Sequence, residues 1–252
     1  RDIVEKQRQV LAKFGYDIAQ DLADRVPHGR WLTEKLEKAA DDEVILFLDI
    51  DAFPTNRDII ERAFAAAEAG GVFGVAQTAN HVPRKDFVYA APSFLAVSKK
   101  TWVQLGKPNL IDNSEVDAGM EISVRALEQG IPVDILYPNF IAVPMWPLAN
   151  KGAVGIATFY DEGSVFHLYQ ARVDRGYREA LINVAQCVLD EKPFDYIGLF
   201  QRLNSFEMKW IRQRERFGKK WDRFVTKTIL RQPWPKPRPS DYYAPVVTEA
   251  PR

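Results

Sequence analysis

Apolar positions along the chain recur with two periods, and each change of period marks an element. Ile3, Val4, Gln7, Val10, Leu11 and Phe14 fall near helical spacing, which predicts an amphipathic helix over residues 1–14, with a second from about 30 to 39. Val44-Ile45-Leu46-Phe47-Leu48 is a continuous apolar run, the pattern of a strand covered on both faces as in a parallel sheet, and it stops abruptly at Asp49-Ile50-Asp51. Thr55, with Asp58 three residues on, predicts the cap of a helix whose inner face is Ile59, Ile60, Ala63, Phe64 and Ala67 and which Gly70-Gly71 closes. Residues 72–77, 87–97 and 133–137 read as strands, with helices at 99–105 and 116–129 between them. This alternation predicts an α/β/α sandwich with a mostly parallel central sheet.

Past Pro144 the pattern changes. Pro147, Gly152, Gly155 and Gly163 punctuate residues 145–163, which predicts a mobile loop that closes over a ligand and leads into Ser164-Val165-Phe166-His167-Leu168. Helices are expected over 174–190 and 195–231, followed by an irregular or extended proline-rich tail from Pro233. The expected organisation is a catalytic domain over 1–172 and a helical extension over 173–252.

Composition narrows the class. With 46% hydrophobic and 27% charged residues among 252, the chain is neither disordered nor fibrous. Lys+Arg and Asp+Glu both number 34, so there is no overall basic excess of the kind a nucleic-acid binder carries. The lone Cys187 excludes an internal disulfide framework and a Cys-rich zinc module and fits a reducing compartment. No apolar run of about 18 residues occurs and the sequence opens Arg-Asp-Ile-Val-Glu-Lys, so a cytoplasmic protein without a membrane span is expected.

Charge is nevertheless uneven. Between 207 and 238 eleven Lys/Arg face three Asp/Glu, a local +8 that leaves −8 for the remainder. Trp210, Phe217, Trp221, Phe224 and Val225 recur through this stretch at helical spacing. Two readings compete: peripheral contact with the inner face of an anionic membrane, or a helix that packs its aromatics on the catalytic core. Nucleic acid is not expected, because no recognition motif accompanies the charge.

The acids at 49 and 51 carry the chemistry. Carboxylates at the carboxyl end of a buried strand are costly to desolvate, and in an open α/β sheet that edge is where ligands bind. Strand alternation would point both to one side, where hard oxygen ligands suit Mg²⁺ or Mn²⁺ bridging to phosphate. The competing reading makes them caps of the following helix and turn.

The segment from Val44 to Pro54 resembles the Asp-x-Asp strand of nucleotide-sugar-dependent glycosyltransferases of the GT-A fold, family 2-like. His28-Gly29-Arg30-Trp31-Leu32 is similar to the family segment that touches the donor nucleotide. Ala91 to Ser98 with Trp102 resembles the strand and helix under the acceptor site, and Glu121 to Gly130 the helix ending in Arg-x-x-x-x-Gly. His167 matches the late histidine that completes metal coordination. The likeness covers roughly 28–172.

The resemblance implies a metal-dependent transferase of hexosyl type that moves a sugar from a UDP- or GDP-sugar to a hydroxyl of a glycan or glycolipid. Asp49, Asp51 and His167 would hold Mn²⁺ or Mg²⁺, and His28, Arg30, Asp49, Asp51 and Arg172 would bind the donor. By their own placement, His81 on a loop and Trp146 as a stacking ring would meet the acceptor, and Asp117 or Glu121 would be the base or the acid that orients the acceptor. His167 also reads as a core histidine, Trp146 as a loop anchor and Arg172 as a surface ion pair.

Two departures stand out. The family begins with a strand that holds the base, whereas this chain starts at what resembles the helix after it. Ala118-Gly119 also stand where the family has Glu-Asp, which leaves inverting and retaining outcomes open. The alternatives are a phosphotransferase of the haloacid-dehalogenase type, against which Phe53 two residues beyond the second acid counts, and a catalytically inactive nucleotide-sugar-binding module.

Overall fold

The apolar run becomes strand β2 (Val44–Leu48), and its alternating side chains feed two separate cores. The computed structural model describes residues 2–21, 26–79, 86–169, 171, 175–224 and 246–248. Leu46 and Leu48 join the core built with Ile59, Ile60 and Ala63 of helix α3 (Asp58–Glu68) and with Val10 and Leu11 of α1 (Asp2–Lys13). Ile45 and Phe47 join the other, with Trp31, Leu32 and Leu36 of α2 (His28–Lys38), Trp102 of α4 (Lys99–Gln104), and Ile122 and Ala126 of α5 (Met120–Glu128). Trp31 meets Phe47 edge-on at 5.6 Å. The chain is α/β, with helices on both faces of its first sheet.

That sheet is mixed rather than mostly parallel. With β1 (Asp17–Ala19), β4 (Val72–Thr78), β5 (Val88–Ser98), β6 (Val133–Leu136) and β10 (Val246–Thr248), the order is β1-β10-β2-β5-β4-β6. Among the described residues only β4 and β6 pair in parallel, because β5 turns back and inserts between β2 and β4. An unbroken apolar run reports that both faces are covered, and this holds for β2. It carries no information on the direction of the neighbours. Strand β10 lies within the tail expected to be irregular or extended.

A second, antiparallel sheet has the order β3-β9-β8-β7, from β3 (Ala52–Pro54), β9 (Val165–His167), β8 (Ala153–Tyr160) and β7 (Pro138–Pro147). The stretch expected as a mobile loop is thus largely the β7–β8 hairpin. Pro144 sits where the register shifts before Trp146, a position that does not need a regular ladder, and Pro147 is the last residue of its strand. Its turn is closed by Leu148 N–H to Gly152 O at 2.8 Å, and Thr78 Oγ1 donates to Pro147 O at 2.8 Å.

Other boundaries move for local reasons. Asn56, not Thr55, caps α3: Ile59 N–H donates to Asn56 Oδ1 at 3.0 Å, while the Thr55 hydroxyl donates to Gly163 O. The helix expected from 116 begins only at Met120. The helix expected over 195–231 breaks into α7 (Tyr196–Leu203) and α8 (Phe206–Phe224), because Asn204 at the junction donates its amide to Ala142 O of β7 at 2.8 Å. Residues 225–231 and the run from Pro233 to Pro239 lie outside the described residues. Among the described residues no helix is long and apolar enough to cross a membrane.

Helix α6 (Arg175–Leu189), assigned from the sequence to the C-terminal extension, packs on α1 and contributes Tyr177, Leu181 and Ala185 to the main core. Lys6 Nζ reaches Gln186 Oε1 at 2.8 Å, and Lys13 Nζ reaches Leu189 O at 3.0 Å. Leu181 is fully buried, so Leu181→Ala should lower stability by about 2–5 kcal/mol in urea unfolding followed by circular dichroism. A loss near zero would show that α6 is not part of the folding core.

Candidate active site

Strand β2 delivers Asp49 to the sheet edge, where the strand ends in a tight turn with Ala52 N–H donating to Asp49 O at 3.0 Å. Asp51 rides on that turn. The two acids converge through the turn, not through strand alternation. Gln7 of α1, fully buried, spans the turn and donates to Asp49 O at 2.7 Å and to Ala52 O at 2.6 Å. A helix from the start of the chain therefore clamps the acidic corner.

His167 arrives from a segment distant in sequence. Strand β3 pairs with β9 so that Ala52 opposes His167, which sets His167 Nε2 3.5 Å from Asp51 Oδ1. Leu168 N–H donates to Asp51 O at 2.9 Å and Ala171 N–H to Asp51 Oδ2 at 3.4 Å. Beneath them Phe166 packs on Phe53 at 5.4 Å and on Phe159 at 4.6 Å. Burial alone would lower the His167 pKa. The contact and charge of Asp51, with the charge of Asp49, outweigh it and raise the imidazole above its ordinary value.

One donor atom each from Asp49, Asp51 and His167 lies within 4.8 Å of the others. Opposite ligands of a small octahedral cation stand about 4.2 Å apart, so modest side-chain rotation lets one ion reach all three. Two carboxylate oxygens suit a hard divalent ion such as Mg²⁺ or Mn²⁺, and the borderline imidazole nitrogen favours Mn²⁺ of the two. The residues therefore fit the cation that the resemblance implies. His28, the first residue of α2, places Nε2 3.4 Å from Asp49 Oδ1.

These groups line a cavity of about 210 Å³ that also takes in Asp117, Tyr89, Ser93, Trp146 and Tyr169. Tyr89 OH donates to Asp117 Oδ2 at 2.8 Å, and Gln77 Nε2 lies 3.5 Å from the same oxygen. Burial first, and then the charge of and hydrogen bond to Asp117, push the Tyr89 hydroxyl well above its ordinary pKa. It remains a donor that aims Asp117. Ser93 Oγ, almost fully buried in the cavity wall, has no hydrogen-bond partner among the described residues. Trp146 stands edge-on to Tyr169 at 4.7 Å.

Of the residues singled out from the sequence, His28, Asp49, Asp51, Asp117, Trp146 and His167 gather at this cavity. Glu121 does not line it: it accepts from Arg125 Nε at 3.0 Å within α5. Arg30 also lies outside the lining, exposed and paired with Glu34 at 3.0 Å. His81 and Arg172 fall outside the described residues. Sequence reasoning missed Tyr89, Gln77, Ser93 and the role of Gln7. Two of them carried a signal: Tyr89 is a hydroxyl in an apolar strand, and Gln7 is an amide on an apolar helix face.

Two glycines are required by the geometry. Gly119 has φ +75°, and a Cβ there would lie 2.8 Å from Pro92 Cγ, so this position cannot carry the acid that the resemblance leads one to seek. Asp117 sits just before that turn. At Gly155 in the cavity wall, a Cβ would fall 2.0 Å from Val143 O, so close pairing of β7 and β8 admits no side chain. No family model, curated protein or solved structure matches the chain, and the chemistry of the site rests on its own geometry.

The Gln7 clamp is testable. Gln7→Leu leaves the Asp49 and Ala52 carbonyls without their buried donor and should destabilise the fold by about 1–3 kcal/mol, with weaker Mn²⁺ binding. Urea unfolding and metal titration by calorimetry measure the two effects. Unchanged metal affinity in a destabilised variant would make Gln7 structural only.

Proposed function

We propose that the chain is a metal-dependent glycosyltransferase of the GT-A-like type that transfers a sugar from a nucleoside diphosphate donor to a hydroxyl acceptor. The observation that carries this reading is the β3–β9 register, which sets His167 against an acidic turn at a sheet edge and gives two carboxylates and an imidazole at the floor of a cavity. When bound, the cation supplies Lewis-acid stabilisation of the departing diphosphate. The cavity is smaller than the roughly 300–1,000 Å³ of pockets that enclose a whole organic ligand, so it takes the sugar and the adjacent phosphate rather than the full donor.

The chain's own residues do the rest. Asp117, aimed by Tyr89, accepts the proton of the acceptor hydroxyl as its oxygen bonds to the anomeric carbon and the bond from that carbon to the diphosphate oxygen breaks. This assigns an inverting outcome. Ser93 offers its hydroxyl to the bound sugar, and Trp146 with Tyr169 forms an aromatic wall against which a sugar face can pack. His28 steadies Asp49. Glu121 is left with the α5 ion pair.

Calorimetry with UDP and GDP, with and without Mn²⁺, tests the reading. A nucleoside diphosphate should bind only with the metal, and Asp51→Asn, which keeps the shape of a buried side chain held by Ala171, should abolish that binding while the fold persists. Binding that ignores Mn²⁺, or survives in Asp51→Asn, would refute it.

The base assignment has its own test. Asp117→Asn should slow turnover by about 10²–10⁴-fold with donor affinity nearly unchanged, and Glu121→Gln should leave turnover close to normal. NMR of the product's anomeric configuration completes it: a retained anomer would remove Asp117 from the role of base.

A further inference from the structure

Helix α8 turns a row of large aromatic side chains to solvent. Phe206 is 85% exposed, Phe217 68%, Trp221 54% and Trp210 51%. At 100° per residue these four positions fall within an arc of about 60°, in a stripe about 22 Å long. Phe217 and Trp221 stack on each other at 6.5 Å, 13° from parallel. The helix is held by its opposite side: Met208 is buried, and Arg212 Nη1 donates to Leu203 O at 2.7 Å and to Tyr177 OH at 3.4 Å. The stripe thus faces outward because the inner side is already anchored. Of the two arrangements considered from the sequence, the one with aromatics packed on the core does not describe these four residues.

The helix that carries the stripe is predominantly cationic. Helix α8 contains seven Lys/Arg and three Asp/Glu. Helical periodicity puts Lys209 along one flank of the stripe and Arg214, with Glu207, along the other. Arg214 lies over the Trp210 ring at 5.3 Å. An exposed aromatic ridge on a helix with four more cations than anions is complementary to one surface chemistry: anionic headgroups above an acyl boundary in which Trp and Phe partition. Self-association would bring two net-positive helices together, and a nucleic acid would not favour Phe206 and Phe217 at the centre of the contact.

We infer that the exposed face of α8 is a docking surface for an anionic lipid bilayer, on which the helix lies in the plane of the interface. This inference is independent of the transferase reading.

Co-sedimentation of the full chain with vesicles tests it. Vesicles of phosphatidylcholine with about a third phosphatidylserine should retain the chain about tenfold better than pure phosphatidylcholine, with a blue shift of tryptophan fluorescence. High salt should weaken retention. Replacing Phe206, Trp210, Phe217 and Trp221 together by Ser should cost about tenfold or more in binding, with the circular dichroism spectrum unchanged because all four are exposed. Lys209→Glu with Arg214→Glu should remove the preference for anionic lipid. No retention on either vesicle, or retention indifferent to both variants, would overturn the inference. So would concentration-dependent dimerisation that the Ser variant abolishes without any vesicle binding, which would give the face to a second copy of the chain.

Discussion

Two carboxylates held largely out of water at the end of an apolar strand are the constraint around which the rest of the chain is arranged. The Asp49 side chain is 15% exposed and that of Asp51 only 4%. Such groups are tolerated only when hydrogen bonds and opposite charge meet them. Here the Ala171 N–H and the His167 imidazole meet the Asp51 carboxylate, the His28 imidazole stands 3.4 Å from that of Asp49, and Leu168 and Gln7 hold the backbone of the turn. The second sheet can be understood as the device that brings His167 to it, since β3 leaves the acidic turn directly and immediately pairs with β9.

The aromatic packing beneath serves the same end. Phe53 and Phe166 are next to the acidic turn and to His167 respectively, and both rings are fully buried. Their contact transmits the register of β3–β9 into the core, so a slip of one residue would expose both rings and part His167 from Asp51. The polar corner is fixed by apolar neighbours.

The parts of this arrangement that were legible in the sequence are those encoded locally. The apolar run into Asp49-Ile50-Asp51, the inner face of α3 and the periodicity of α1 all describe short-range physics, and each element formed where expected. What escaped depends on partners distant in sequence. Strand direction in the first sheet turns on where β5 inserts, which β2 cannot signal. The β7–β8 hairpin was obscured because Pro144, Pro147 and Gly155 look like loop residues until a neighbouring strand accommodates them. At the site, Asp49, Asp51 and His167 were visible by type and order, whereas Glu121 and Arg30 were drawn off by ion pairs one helical turn away in Arg125 and Glu34. Tyr89 and Gln7 join the site only through contacts with Asp117 and with two carbonyls across the fold.

The Gln7 contact also carries a consequence for biosynthesis. The amide that shapes the acidic turn belongs to α1, and α1 is seated by α6, whose last buried residue is Val188. A chain emerging from the ribosome would have made both acids and the histidine before the helix that steadies their clamp was available. The cleft is therefore completed only once α6 has been made, and a chain cut short before α6 would display the right residues without holding them in place.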